Sequence, residues 1–215
     1  MKKRVNKIIC FDLDGTLVYS RKCRAKAYNH AIKKAGLKQL TEKTLASNLG
    51  VVGDVWLHNL FPYLRNSEIT AIINDQRRYN KKYLKHIRPV KGCLYVLTEL
   101  KKKYKLAIVS NCREKTIIET LRAAKISAKF FDVIIGNDSV KHPKPAPDEI
   151  IKTEKLARLK AEYMVGDTIY DIIAAKRAKV KAIGVLTGST SKYQLQKYKP
   201  KHILQDIRGL LKIIK

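Results

Sequence analysis

The stretch KIICFDLDGTLVYS, residues 7–20, sets two aspartates directly behind an apolar run. Ile8, Ile9, Cys10 and Phe11 read as a buried strand, and Asp12 and Asp14 follow it with one leucine between them. Two carboxylates that close repel each other, and at the end of a buried strand both lose solvation. Folding alone does not select such a pair. Something else must compensate the charge.

The same theme repeats along the chain. Apolar runs at 106–109, 133–135, 163–165 and 182–185 read as further buried strands. The segments EKTIIETLRAAKI, PDEIIKTEKLARL and YDIIAAKRAKV follow the second, third and fourth strands with helical periodicity, and Pro147 suits a first helical turn. Strands alternating with helices imply right-handed crossovers and a parallel sheet. The expected fold class is therefore α/β, a doubly wound, Rossmann-like parallel sheet core whose ligands bind at the carboxyl ends of the strands.

The first and second strands are more than ninety residues apart, far too many for one crossover. Residues 21–35, 41–48 and 67–86 lack strand alternation and read as helices, with Ser20 as N-cap of the first. Gly50, Gly53 and Pro62 punctuate the middle, and Pro89 closes the segment before the helix VKGCLYVLTELKKKY. The expected organisation is a core of residues 1–16 and 89–215 with a helical cap, 17–88, lying over the strand ends.

Every chemical signal falls just after a predicted strand. Asp12 and Asp14 follow the first, with Gly15 supplying backbone freedom and Thr16 a hydroxyl; Ser110 and Asn111 follow the second. Lys144 follows the third in HPKPAPD, where Pro145 keeps its backbone extended. Asp167 and Asp171 follow the fourth in GDTIYD. Each signal alone has a bland explanation: aspartates serve turns and helix N-termini, and Ser-Asn is a common turn. All of them at successive strand ends converge on one crevice. Carboxylates without His or Cys favour Mg2+, while an ammonium and a hydroxyl suit phosphoryl oxygens. In such a site one carboxylate acts as nucleophile, and a second serves as general acid and base.

Composition narrows the class. The chain has 215 residues, 45% hydrophobic and 30% charged, as in a soluble globular protein. No apolar stretch approaches the ~20 residues of a membrane span, so no membrane partner is expected. The start, MKKRVNKIICFDLDG, resembles a signal peptide only until its apolar run stops after four residues, so export is not expected. Cys10, Cys23, Cys93 and Cys112 show no CxxC pairing, as for free thiols in a reducing cytoplasm, and the scattered histidines offer no zinc site. The net charge of +28 allows a nucleic-acid partner. Residues 17–88 hold 15 Lys and Arg against 4 acidic residues, while the other 143 carry +17. That even spread favours general lysine enrichment.

FDLDGTL, VSN, KPAPD and GDTIYD resemble, in order, the four motifs of the haloacid dehalogenase superfamily, and the resemblance covers nearly the whole chain. It implies Asp12 as nucleophile and Asp14 as general acid and base. Ser110 and Lys144 would hold the phosphoryl group, with Gly15, Thr16 and Asn111 lining its pocket. Mg2+ would be bound by Asp12, the Asp14 carbonyl and Asp167, with Asp171 assisting. The second aspartate of the first motif implies phosphate chemistry over dehalogenation.

The helical insert resembles the cap of phosphoglycolate phosphatases and of related pyrophosphate and nucleotide phosphatases. Tyr19-Ser20 stands where relatives often have Asp-Ser, and Lys179 where they place a glycine. The loop LGVVGDVW, 49–56, with Arg21, Lys22 and Arg24 near the hinge, is the expected discriminating surface, where Trp56 either stacks on substrate or packs in the core. The expected function is a Mg2+-dependent phosphatase of small phosphate monoesters or pyrophosphate, monomeric or homodimeric. The alternatives are a sugar phosphomutase with the same cap, and a basic nucleic-acid binder on the same fold.

Overall fold

A computed structural model of the chain describes residues 6–48 and 50–214; Leu49 of the expected discriminating loop and the first five residues of the N-terminal stretch lie outside the described residues. The strands are β1 (Lys7–Phe11), β2 (Val18–Tyr19), β3 (Arg88–Pro89), β4 (Lys105–Ser110), β5 (Val133–Gly136), β6 (Lys160–Gly166), β7 (Lys181–Val185) and β8 (His202–Leu204). Six of them form one sheet in the order β5-β4-β1-β6-β7-β8, and each neighbouring pair within it is parallel. The order reverses at β1, which puts Asp12 at the crevice where open α/β sheets bind ligands.

The helices are α1 (Arg21–Lys34), α2 (Glu42–Asn48), α3 (Gly53–Leu60), α4 (Asn66–Tyr83), α5 (Cys93–Lys101), α6 (Glu114–Ala123), α7 (Asp148–Ala157), α8 (Ile169–Arg177), α9 (Lys192–Lys197) and α10 (Leu210–Ile213). Both faces of the sheet are covered. Ile9 and Phe11 of β1 pack with Val96 and Leu97 of α5, Leu121 of α6 and Leu210 of α10. Ile8 and Cys10 turn the other way, toward Ile150 of α7, Ile172 of α8 and Leu195 of α9. A strand buried on both faces must be apolar at every position, which is why KIICF shows no polar alternation.

Helices α1 to α4 pack on each other around their own apolar cluster, including Ile32, Leu45, Trp56, Leu57, Ile69 and Ile72. Ile69 and Ile72 lie three apart on α4, one face of a helix. Trp56 is 2% exposed and edge-on to Tyr28 at 4.7 Å between ring centroids, so it is a core residue of this layer. The chain enters and leaves the layer through the antiparallel pair β2 and β3, with Val18 opposite Pro89 and Tyr19 opposite Arg88. Ser20 precedes α1 as its N-cap residue, though its side chain makes no capping bond. Among the described residues no helix is long and apolar enough to cross a membrane.

Candidate active site

The turn after β1 is built to bring Asp12 and Asp14 to different neighbours. The Asp12 amide donates to the Val165 carbonyl of β6 at 2.8 Å, extending the sheet by one residue. Gly15 then takes φ +82, and a Cβ there would stand 2.7 Å from the Asp167 carboxylate. The turn therefore needs glycine both for its backbone and for the approach of Asp167. Thr16, fully buried, donates from Oγ1 to Asp167 Oδ1 at 3.4 Å.

Lys144 lies at the centre of the site, 4% exposed. Its ammonium donates to Asp12 Oδ1 and Asp171 Oδ1, both at 2.7 Å, and to the Val109 carbonyl at 2.9 Å. Burial disfavours that ammonium, but the charges of Asp12 and Asp171 outweigh it and hold its pKa above the usual lysine value. Asp171 Oδ2 accepts from the Thr168 amide at 2.9 Å and hydroxyl at 2.7 Å, a capping arrangement at the start of α8.

Asp12, Asp167 and Asp171 each offer an oxygen within 4.8 Å of the others, and all three are buried. One lysine cannot balance three carboxylates. Burial pushes Asp12 well above the usual carboxylate range despite Lys144. Burial and then the charge of Asp171 push Asp167 up to about 7. A buried all-oxygen donor set with surplus negative charge fits a hard divalent cation such as Mg2+.

The Asp14 carboxylate does not join this trio. It accepts from Arg24 of α1, with Nη2 at 3.0 Å from Oδ1 and 3.1 Å from Oδ2, and Nε at 3.3 Å from Oδ2. The Cys112 thiol donates to Oδ2 at 3.2 Å. Burial works against ionised Asp14, and the Arg24 guanidinium more than offsets it, so the carboxyl is held below its usual range. Burial and then Asp14 push the Cys112 thiol up to about 12.

Ser110, 2% exposed, ends β4 and accepts from the Cys112 amide at 3.3 Å. Asn111 is a bridge: its Nδ2 donates to the Lys144 carbonyl at 2.9 Å and to the Gly50 carbonyl of the helical layer at 2.7 Å. Its Oδ1 is buried without a partner. Arg21 makes a second link across the same interface, from Nη2 to the Gly188 carbonyl at 2.5 Å. A cavity of about 1050 Å³ lies between the helical layer and the strand ends, with Asp14, Arg24, Asn111, Arg113 and Asp167 among its walls.

Two contributors were not assigned from sequence. Thr187 donates to the Gly15 carbonyl at 2.5 Å, and the Ser189 amide donates to Asp167 Oδ2 at 3.0 Å. Both follow β7, so the strand-end rule that found the other groups also pointed here. By sequence Arg24 is a residue near the hinge; nothing in its spacing indicates that it turns inward to Asp14.

The haloacid dehalogenase-like hydrolase profile matches residues 9–185. The chain is 28% identical to the pyrophosphatase PpaX of Bacillus mycoides over 215 residues, which covers 98% of this chain and 97% of the relative. Its structure is similar to that of a predicted phosphoglycolate phosphatase from Haemophilus somnus, with a TM-score of 0.89, 28% identity and 98% of each chain covered. A hydrolase from Pseudomonas syringae shares the fold, with a TM-score of 0.87 at 23% identity and 97% of each chain covered.

Proposed function

Because this chain belongs to the haloacid dehalogenase-like hydrolases, we propose that it is a Mg2+-dependent phosphatase of small phosphate monoesters or pyrophosphate, working through an aspartyl-phosphate on Asp12. The observation that carries this reading is the buried group of Asp12, Lys144 and Asp171, with Lys144 held at 2.7 Å from both carboxylates. The names of the similar proteins, a pyrophosphatase and a predicted phosphoglycolate phosphatase, support phosphate chemistry.

Asp12 attacks phosphorus through a carboxylate oxygen, and the bond to the leaving oxygen breaks. Lys144 and the Ser110 hydroxyl bind the phosphoryl oxygens and stabilise the charge that develops on them. Water then attacks the phosphorus of the acyl phosphate, which releases phosphate and restores Asp12. Asp14, ionised beside Arg24, takes the proton from that water and gives it to the leaving oxygen of the next turnover. Asp12, Asp167 and Asp171, with the Asp14 carbonyl, would hold Mg2+, which neutralises phosphoryl charge when bound. We read residues 17–88 as the cap that closes over the substrate; the cavity beneath it is large enough for a small phosphorylated metabolite.

The test is phosphate release from a panel of phosphoglycolate, sugar phosphates, nucleotides and pyrophosphate, with Mg2+ or with EDTA. Release with Mg2+ that EDTA abolishes is expected, and the ranking names the substrate class. Rearranged sugar phosphate in place of free phosphate, or no release from any member by the folded protein, overturns the reading.

A further inference from the structure

We infer that Arg24 is a positioning residue through which the docked helical layer fixes the Asp14 carboxylate in the site; this rests on the reading of Asp14 as the proton carrier. Arg24 belongs to α1, whereas its partners Asp14 and Thr120 belong to the core. Its side chain is 5% exposed. Nη2 alone reaches both Asp14 oxygens and donates to Thr120 Oγ1 at 3.0 Å, so Thr120 fixes the guanidinium while the guanidinium fixes Asp14.

Stability does not explain this arrangement. A buried ion pair is often no better than an apolar pair of equal volume, and a buried donor left without a partner is unfavourable. Arg24 Nη1 is such a donor. The guanidinium accepts that cost while keeping its fork on Asp14, two residues from the nucleophile. Two uncharged groups also bond Asp14, the Ser20 hydroxyl and the weakly donating Cys112 thiol, while Lys144 is engaged with Asp12 and Asp171, so Arg24 is the cation that holds the carboxylate. Because the clamp spans the two layers, Asp14 is fully held only while the helical layer is docked. Asn111 on Gly50, Arg21 on Gly188 and Lys81 of α4 on Glu119 of α6 are further links across the same interface.

The test uses p-nitrophenyl phosphate, whose leaving group departs without a proton. Single-turnover release by excess enzyme is compared with steady-state turnover, all with Mg2+, for the wild type, Arg24→Met, Arg24→Lys, Thr120→Val and Asp14→Asn. Arg24→Met is expected to keep single-turnover release within about 3-fold while steady-state turnover falls about 10-fold or more, because water attack needs a placed Asp14. Thr120→Val, which leaves the ion pair but frees the guanidinium, shows the same pattern more weakly and carries the test if Arg24→Met does not fold. Arg24→Lys restores part of the loss.

Both phases falling together in the Arg24 and Thr120 variants marks a purely structural role and overturns the inference. Unchanged turnover in Arg24→Met, with Asp14→Asn stalled after one turnover, overturns the inference and leaves the proton carrier standing. Full turnover by Asp14→Asn, or no hydrolysis by the wild type, removes the reading on which the inference rests, and the inference with it.

Discussion

Lys144 and Asp12 form a buried ion pair, Nζ to Oδ1 at 2.7 Å, and the same ammonium holds Asp171 at an equal distance. The chemistry proposed for Asp12 and the stability of its surroundings thus depend on one cation. Lys144→Met leaves a cluster of buried carboxylates without a counter-charge. Removing one partner of a buried pair typically costs about 3–5 kcal/mol. Urea unfolding should show a loss of that order, and phosphate release should fall by about 100-fold or more through lost charge stabilisation.

Divalent metal should stabilise the fold by binding where negative charge is in surplus. At a hundredfold excess over its dissociation constant, a ligand adds about 2.7 kcal/mol. A melting curve in Mg2+ should lie several degrees above one in EDTA. Asp167→Asn should melt at the same temperature in both, since Asp167 is one of the three buried oxygen donors. An undiminished shift in that variant would mean that the metal binds elsewhere.

Glu149 sets a pH dependence of stability. It is fully buried on α7, and burial pushes its pKa up to about 7 against the nearby charge of Lys144 and a hydrogen bond from the Lys144 backbone. In the unfolded chain the group keeps the ordinary glutamate value of 4.5. Between those two values the folded state carries a proton that the unfolded state lacks. Its contribution is therefore complete below about pH 4.5 and is lost as pH rises through about 7, a fall of about 3 kcal/mol. Glu149→Gln stays neutral throughout, so its urea midpoint should vary less over that window than the wild type's.

Lys179 follows α8 at φ +60, in the left-handed region that favours glycine. Lys125, Arg158 and Lys199 also have positive φ, so all four such non-glycine residues described are basic. Left-handed backbone costs a side chain about 1–2 kcal/mol, part of which glycine's greater unfolded freedom returns. Lys179→Gly should raise unfolding stability by about 0.5–1 kcal/mol without changing phosphate release. Basic residues at strained positions where glycine suits better fit general lysine enrichment as a source of the +28 charge.

The core was legible because it obeys short-range rules. KIICF is apolar at every position since both sheet faces are covered, and the motif residues stand where four such runs end. What escaped depends on partners distant in sequence. Tyr19 and Arg88 pair as two-residue strands across nearly seventy residues, and no local pattern announces a strand that short. Helix α3 begins at Gly53, a residue that reads as a break, and is held by Trp56 and Leu57 in the layer's own core. β8 is only half-buried and three residues long, too little for an apolar run. Arg24 shows the limit most plainly: among 46 basic residues nothing local marks the one turned inward.

The most direct measurement is phosphate release by Asp12→Asn beside the wild type, both shown to be folded by their melting curves, with Mg2+ on the best substrate of the panel. The account predicts metal-dependent release by the wild type and a loss of at least about 1000-fold in the variant, since an amide is a poor nucleophile in place of the carboxylate. Release by Asp12→Asn within about tenfold of the wild type would contradict it, placing the attacking group elsewhere.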